Sequence, residues 1–265
     1  MKLANKVAII TGAAGGMGQA AAILFAQEGA KVAVIDLKES AAQPTVDQIR
    51  ANGGKAIAIG ADITSSEDVK RIVARTVAEL GVPNILYNNA GIDTEGKKPL
   101  IHITEEEFDR TVAVNLKGPW LMMKYVVPHM IEAGGGSVIN TASIAAFFAC
   151  NTAGYCGAKA GVVSMTKVAA VELGRYNIRV NALCPGATKT PMGDKVKAEM
   201  AARKAKLPHV DKMGVLGRMA TPLEMAKMAL FLASDDSSFA TGAAFINDGG
   251  WTSMSGLETQ APELI

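Results

Sequence analysis

The sequence predicts an α/β protein built on a doubly wound, seven-stranded parallel sheet with helices on both faces. Three observations predict it. Short apolar runs alternate with helical patterns along the chain. Most of these runs are apolar on consecutive positions, as strands covered on both faces require. The first run ends in a glycine-rich turn that opens a helix, the start of a βαβ unit. Such alternation implies right-handed crossovers, and these generate a parallel sheet.

In chain order, strands are expected over Val7–Thr11, Val32–Asp36, Ala56–Gly60, Ile85–Ala90, Ser137–Ala142, Ile178–Leu183 and Ala243–Asn247. Three of the intervening helices announce their starts with capping boxes: Ser65 with Asp68, Thr104 with Glu107, and Thr221 with Glu224. Pro222 then falls at a first helical position. No repeat, linker or composition break divides the 265 residues, so one domain is expected. The tail from Ser253 to Ile265 is polar, and poor order is expected there.

Composition excludes several function classes. Hydrophobic residues at 49% and charged residues at 20% suit a soluble globular chain and exclude a disordered one. A net charge of +2 without a Lys/Arg run gives no footprint for nucleic acid. Met1 leads directly into a short strand, without a charged leader and longer apolar stretch, and no apolar run reaches a membrane span. A cytoplasmic protein with no membrane partner is therefore expected. Cys150, Cys156 and Cys184 have neither CxxC nor metal-ligand spacing, so no metal is expected. Their odd number fits a reducing compartment.

The turn after the first strand carries the first chemistry. Gly12, Gly15, Gly16 and Gly18 follow Thr11, with Met17 among them. Glycines there permit a tight turn, close approach of backbone to a pyrophosphate, and close helix–sheet packing. The helix that follows offers free N–H groups and a positive dipole end. The turn predicts a Rossmann-like dinucleotide site. The spacing fits TGxxxGxG, through Thr11, Gly12, Gly16 and Gly18, and also GxxGxxG, through Gly12, Gly15 and Gly18. Asp36 ends the second strand, 18 residues after Gly18 and just before Leu37. A carboxylate there can accept from both ribose hydroxyls and repels a 2′-phosphate, so NAD is the expected cofactor. The alternative is that Asp36 caps the helix beginning near Ser40.

The second chemistry lies between Ser143 and Lys159. Tyr155 and Lys159 are four residues apart, on one face of a helix. A phenol is a poor base near neutral pH, and a fixed ammonium nearby favours the phenolate. With a hydroxyl such as Ser143 to hold a substrate oxygen, the set could move a proton on or off a carbonyl or alcohol oxygen. The alternative is an ordinary surface pair.

With these motifs in their order, the sequence resembles the short-chain dehydrogenase/reductase family, in its single-domain subgroup, from about Lys6 to Thr252. Asp62 and Ile63 fall where that family contacts adenine. Asn88–Gly91 looks like its NNAG segment, which favours this subgroup over longer GxxGxxG relatives. The resemblance assigns Asn89, Ala90 and Gly91 to the cofactor, and likewise Pro185, Gly186, Thr188 and Thr190, the last group holding the nicotinamide carboxamide. Gly217, Arg218, Pro222 and Asp248–Gly250 match later landmarks. It implies four active-site residues, Asn115, Ser143, Tyr155 and Lys159. Tyr155 would be the general acid in reduction and the base in oxidation. Lys159 would lower the Tyr155 pKa and hold the nicotinamide ribose, and Asn115 would support a water linking Lys159 to solvent. One departure concerns Ser143. It precedes Tyr155 by 12 residues, where 13 is usual, which leaves Thr141 as a second candidate hydroxyl.

Substrate contacts are expected from loops beyond the carboxyl ends of the strands. They comprise Asp93–Pro99, Ala145–Ala153, and the stretch after Thr190. Candidate contacts are Ser143, Ala145, Phe147, Asn151, Tyr155 and Met192. Phe147 and Phe148 suggest a hydrophobic, alicyclic secondary alcohol or ketone; core packing or a subunit contact is the alternative for them. Residues from Thr190 to Met213 read as a lid helix with a modest positive balance. By resemblance, helices near Thr104–Ala133 and Gly154–Arg175 would build a homodimer or homotetramer. Three functions are compatible: an NAD-dependent secondary alcohol dehydrogenase, a 3-ketoacyl-thioester reductase, and a non-catalytic dinucleotide sensor.

Overall fold

The computed structural model describes residues 1–96, 98–194 and 214–253. The lid helix expected within 190–213 lies mostly outside these residues, as does the tail beyond Ser253.

Seven parallel strands form one sheet: β1 (Val7–Thr11), β2 (Lys31–Asp36), β3 (Ala56–Gly60), β4 (Ile85–Asn88), β5 (Gly136–Thr141), β6 (Ile178–Pro185) and β7 (Ala244–Asn247). Their order is β3-β2-β1-β4-β5-β6-β7. The chain therefore reverses its direction of winding between β1 and β4. The crevice beyond the carboxyl ends of those two strands is where such sheets bind ligands.

Among the described residues, the α-helices that flank the sheet are α1 (Gly16–Gln27), α2 (Glu39–Ala51), α3 (Ser66–Leu80), α4 (Glu105–Val112), α5 (Gly118–Glu132), α6 (Ala153–Leu173) and α7 (Pro222–Ala233). Strand residues alternate between two cores because successive side chains point to opposite faces. Ile9, Leu86 and Val138 pack on one face with Ile72 of α3 and Val126 of α5. Ile10, Tyr87 and Ile139 pack on the other with Phe25 of α1, Val46 of α2 and Leu232 of α7.

Local chemistry accounts for the differences from expectation. β4 stops at Asn88 and not at Ala90. The N–H groups of Asn89 and Ala90 both donate to the Thr11 hydroxyl at 3.0 Å, which turns the backbone off the ladder and ties the ends of β1 and β4 together. Full capping boxes form at Thr104 and at Thr221, with Pro222 at the start of α7. At Ser65 the box is one-sided. The Ser65 hydroxyl accepts from Asp68 N–H, but the Asp68 carboxylate turns to the Asp62 N–H and to Arg71. A wide π-helical turn, Ala113–Lys117, joins α4 to α5 and carries Asn115. Single π turns inside helices often mark functional positions.

Candidate active site

A cleft of about 340 Å³ opens at the switch point. Its floor is the glycine turn. Gly12 (φ 63°) and Gly16 (φ 55°) adopt left-handed backbone that other residues resist. A Cβ on Gly12 would sit 2.8 Å from the Ala90 Cα, and one on Gly18 would overlap the Gly12 carbonyl oxygen. These two glycines serve chain packing. Gly15 differs: a Cβ there would meet no atom within 4 Å, because it faces the cleft. Gly15 also precedes α1 without a side-chain cap, and the first turn of α1 holds no acid. The helix therefore presents uncompensated N–H groups and its positive end to the cleft.

Asp36 and Leu37 stand at the end of β2. The Asp36 carboxylate accepts from Ala14 N–H at 3.0 Å and from Leu37 N–H at 2.9 Å, so it also fixes the glycine turn. It does not cap α2, whose start at Lys38 has no side-chain cap, which removes the alternative reading of Asp36. Asp62 and Ile63 line the cleft beyond β3. Burial disfavours ionised Asp62, but the Thr64 N–H and hydroxyl, with Arg110, outweigh it and hold its pKa below the usual carboxylate range. Arg110 of α4 donates to Asp62 at 3.3 Å and lines the cleft beside Val114, one turn on.

The segment after β4 connects this end to the catalytic candidates. Asn89 Nδ2 donates to the carbonyls of Thr11 and Gly12, while its Oδ1 is buried without a partner among the described residues. Asn115 is fully buried. Its amide donates to Ile92 O (2.7 Å) and Thr111 O (2.8 Å), and its oxygen accepts from Ile92 N–H. A Cβ on Gly91 would lie 2.9 Å from Asn115 Oδ1 and 3.4 Å from Lys159 Nζ, so glycine lets these groups converge.

Tyr155 and Lys159 sit on one face of α6, both buried, with Nζ 5.6 Å from the phenol ring centroid. Lys159 donates to Thr141 O at 2.8 Å. Ser143 begins the short turn Ile144–Ala146, and its hydroxyl accepts from Ala145 N–H. Ser143 is near enough to Tyr155 to lower its pKa, while the second candidate hydroxyl, on Thr141, belongs to a residue that lines the cleft. One expectation is corrected here. Burial dominates and pushes the Tyr155 phenol above its ordinary value, Ser143 opposes this, and the neighbouring acidic side chains, Asp93 first among them, add to it. Burial also pulls Lys159 down to about 8. Both groups are desolvated together, so each is driven toward its neutral form.

The remaining candidates divide. Met17, Ala90, Thr190 and Met192 line the cleft. Gly18, Asn115, Pro185, Gly186 and Thr188 are not among its lining residues. Gly186 packs on Asp248, and Thr188 donates to Gly186 O. Of the substrate candidates, Tyr155 and Met192 line the cleft; Ser143, Ala145, Phe147 and Asn151 do not. Burial of Ile144 and Ala145 leaves Phe147 on the surface, 46% exposed, which removes core packing as its explanation. Sequence reasoning missed Arg110, Ile92 and Val114 as cleft residues. The signal for Arg110 and Val114 was their i, i+4 spacing ahead of Asn115. Among the described residues no helix is long and apolar enough to cross a membrane.

Comparison with known proteins agrees with this geometry. Residues 12–252 match a family model described as enoyl-(acyl carrier protein) reductase. The chain is 42% identical over 258 residues to a cyclohexanol dehydrogenase from Acinetobacter sp. (strain SE19), covering 95% of this chain and 97% of that protein. It is 39% identical to a 3-oxoacyl-(acyl-carrier-protein) reductase from Thermotoga maritima, covering 94% and 99%. The crystal structure of levodione reductase superposes with a TM-score of 0.87 at 33% identity, covering 96% of this chain and all of that one. Sequence motifs, sheet order and relatives agree: the chain belongs to the short-chain dehydrogenase/reductase family, and it is an oxidoreductase.

Proposed function

We propose that the protein is an NAD(H)-dependent oxidoreductase that interconverts a secondary alcohol and a ketone, with Tyr155 as the general acid and base. The observation that carries the reading is the buried Tyr155–Lys159 pair in a cleft that begins at an uncapped helix start and ends at Asp36. The cleft fits a dinucleotide. Gly15 leaves open space at the helix start, Asn89 Oδ1 lacks a partner among the described residues, and Asp36 and Asp62 stand at the strand ends. The glycine turn and α1 would hold the pyrophosphate, Asp36 the adenosine ribose, Asp62, Ile63 and Arg110 the adenine side, and Lys159 and Thr190 the nicotinamide side. When bound there, the cofactor would supply the hydride chemistry at the carbinol carbon and, in its oxidised form, a positive charge that would favour the Tyr155 phenolate.

The chain's own residues would do the proton chemistry. Ser143 holds the substrate oxygen and stabilises charge developing on it. Tyr155 donates a proton to that oxygen in reduction, burial keeping the phenol protonated until then, and accepts it in oxidation. Lys159, braced by Thr141 O, faces the Tyr155 ring. Asn115 holds the segment after β4 against α6.

NAD is preferred over NADP because Asp36 places a carboxylate at the end of β2 and the turn from Gly12 to Gly18 contains no cation. The cyclohexanol dehydrogenase relative supports an alicyclic, hydrophobic substrate. The 3-oxoacyl reductase relative supports a second reading, reduction of a 3-ketoacyl thioester. Absorbance at 340 nm separates them. Turnover of alicyclic secondary alcohols with NAD is expected, and reduction of ketoacyl thioesters alone, or preference for NADP, would refute the first reading. Assembly as a homodimer or homotetramer through α5 and α6 belongs to the same proposal. Trp120, Val168 and Val171 are exposed apolar side chains on those helices. A monomer mass by light scattering at micromolar concentration would refute it.

A further inference from the structure

The third residue of α6 is Tyr155, so whatever fixes the first turn of this helix fixes the phenol. The local cap is missing: Thr152, at the N-cap, makes no side-chain bond to the helix, and its hydroxyl is buried without a partner among the described residues. The cap comes from 59 residues upstream. Glu95 is fully buried, and its Oε2 accepts from the Gly154 N–H at 3.0 Å. A carboxylate against a helix amino terminus is favourable, because free N–H groups and the positive dipole end converge there.

The fit is close on both sides. A Cβ on Gly154 would overlap Glu95 Oε1 and lie 3.0 Å from the Phe108 ring, so only glycine lets the carboxylate reach the backbone just before Tyr155. The loop that carries Glu95 is itself held. Asp93 Oδ1 accepts from Glu95 N–H at 3.1 Å, Ile92 is bonded in both directions to Asn115, and Gly91 lies beside Lys159. One short segment after β4 thus meets α6 at both active-site turns, Gly91 at Lys159 and Glu95 at the residue before Tyr155. Glu95 Oε1 has no hydrogen-bond partner among the described residues. A buried carboxylate with an unsatisfied oxygen is a costly way to close a helix end when an N-cap Ser, Asp or Asn would serve.

We infer that Glu95 is a positioning residue that sets the place of Tyr155 through the amino terminus of α6. The inference rests on the proposed role of Tyr155, and its test includes a measurement independent of turnover. Protein labelled at the tyrosine Cζ with ¹³C gives signals from the four tyrosines, and Tyr155→Phe identifies the one that matters. Glu95→Ala is expected to move or broaden the Tyr155 signal and leave the other three in place. In turnover, Glu95→Ala is expected to lower kcat by about tenfold or more with KM for NAD unchanged, as misplacement of a reacting group does. Glu95→Gln should return to within about threefold of the parent, since an amide oxygen accepts the same N–H. Gly154→Ala, which displaces the carboxylate without removing it, should reproduce the loss. An unmoved Tyr155 signal, an unchanged kcat, or a loss confined to KM for the alcohol would overturn the inference. If the parent turns over no alcohol, the functional reading fails, and the tyrosine signal still decides the positioning.

Discussion

Replacing Lys159 with methionine should make the chain more stable and inactive. The Lys159 ammonium is 2% exposed, and burial pulls its pKa from 10.5 to about 8. That gap is worth roughly 3 kcal/mol against the folded state. The folded pKa lies below the unfolded one, so the cost is fully present below about pH 8, shrinks as pH rises to 10.5, and is absent above it. Methionine removes the charge and keeps an unbranched apolar stem. It also loses the bond to Thr141 O, worth about 1 kcal/mol. The net gain near pH 7 is about 2 kcal/mol, or about 4 °C in Tm for a chain of this size. Thermal unfolding followed by circular dichroism at pH 7, 9 and 10.5 measures it. The advantage of Lys159→Met should fall steadily along that series while turnover stays absent. A variant less stable than the parent at pH 7, or an advantage independent of pH, would refute the electrostatic reasoning.

Tyr155→Phe should abolish turnover while NADH still binds, measured at 340 nm and by NADH fluorescence; residual activity within about tenfold of the parent would contradict the proton-transfer role. Ser143→Ala should lower kcat by about a hundredfold, the scale of losing one group that stabilises the developing charge. Asp36→Ala should relax the preference for NAD and also weaken NADH binding, because the Ala14 N–H loses its acceptor; an unchanged ratio of kcat/KM for NAD and NADP would sink the assignment. Gly18→Ala and Gly15→Ala should part company. The first collides with the Gly12 carbonyl oxygen and should cost about 2 kcal/mol or more in urea unfolding, whereas the second, with open space around it, should leave stability within about 0.5 kcal/mol and weaken NADH binding.

The sheet was legible because its signals are local. Consecutive apolar residues and β-branched runs placed all seven strands, and hydroxyl–carboxylate spacing placed three helix starts. The errors came where a side chain from elsewhere competes for backbone groups. Thr11 takes the N–H groups of Asn89 and Ala90 and shortens β4, and Asp62 draws Asp68 out of its capping box. Glycine, tyrosine and lysine spacing likewise marked the two ends of the site. What joins those ends was hidden. Arg110 reaches Asp62 across 48 residues and Glu95 reaches Gly154 across 59, and neither distance leaves a periodic trace.

The same contrast bears on how the site tolerates its chemistry. A phenol and an ammonium buried side by side are each held away from the charged form that catalysis needs in at least one direction. They stay in place because the surrounding frame fixes both turns of α6 independently of their charge: Thr141 O holds Lys159, Ser143 meets Tyr155, and the segment from Gly91 to Glu95 braces the helix from the other side. Burial that destabilises the resting chain is therefore what leaves the pair responsive to a charge arriving in the cleft, since electrostatic coupling strengthens as water is excluded. On that argument the frame and the reactive pair should respond differently to mutation. Changes at Glu95, Asn115 or Gly154 should lower stability and turnover together, and a change at Lys159 should separate them.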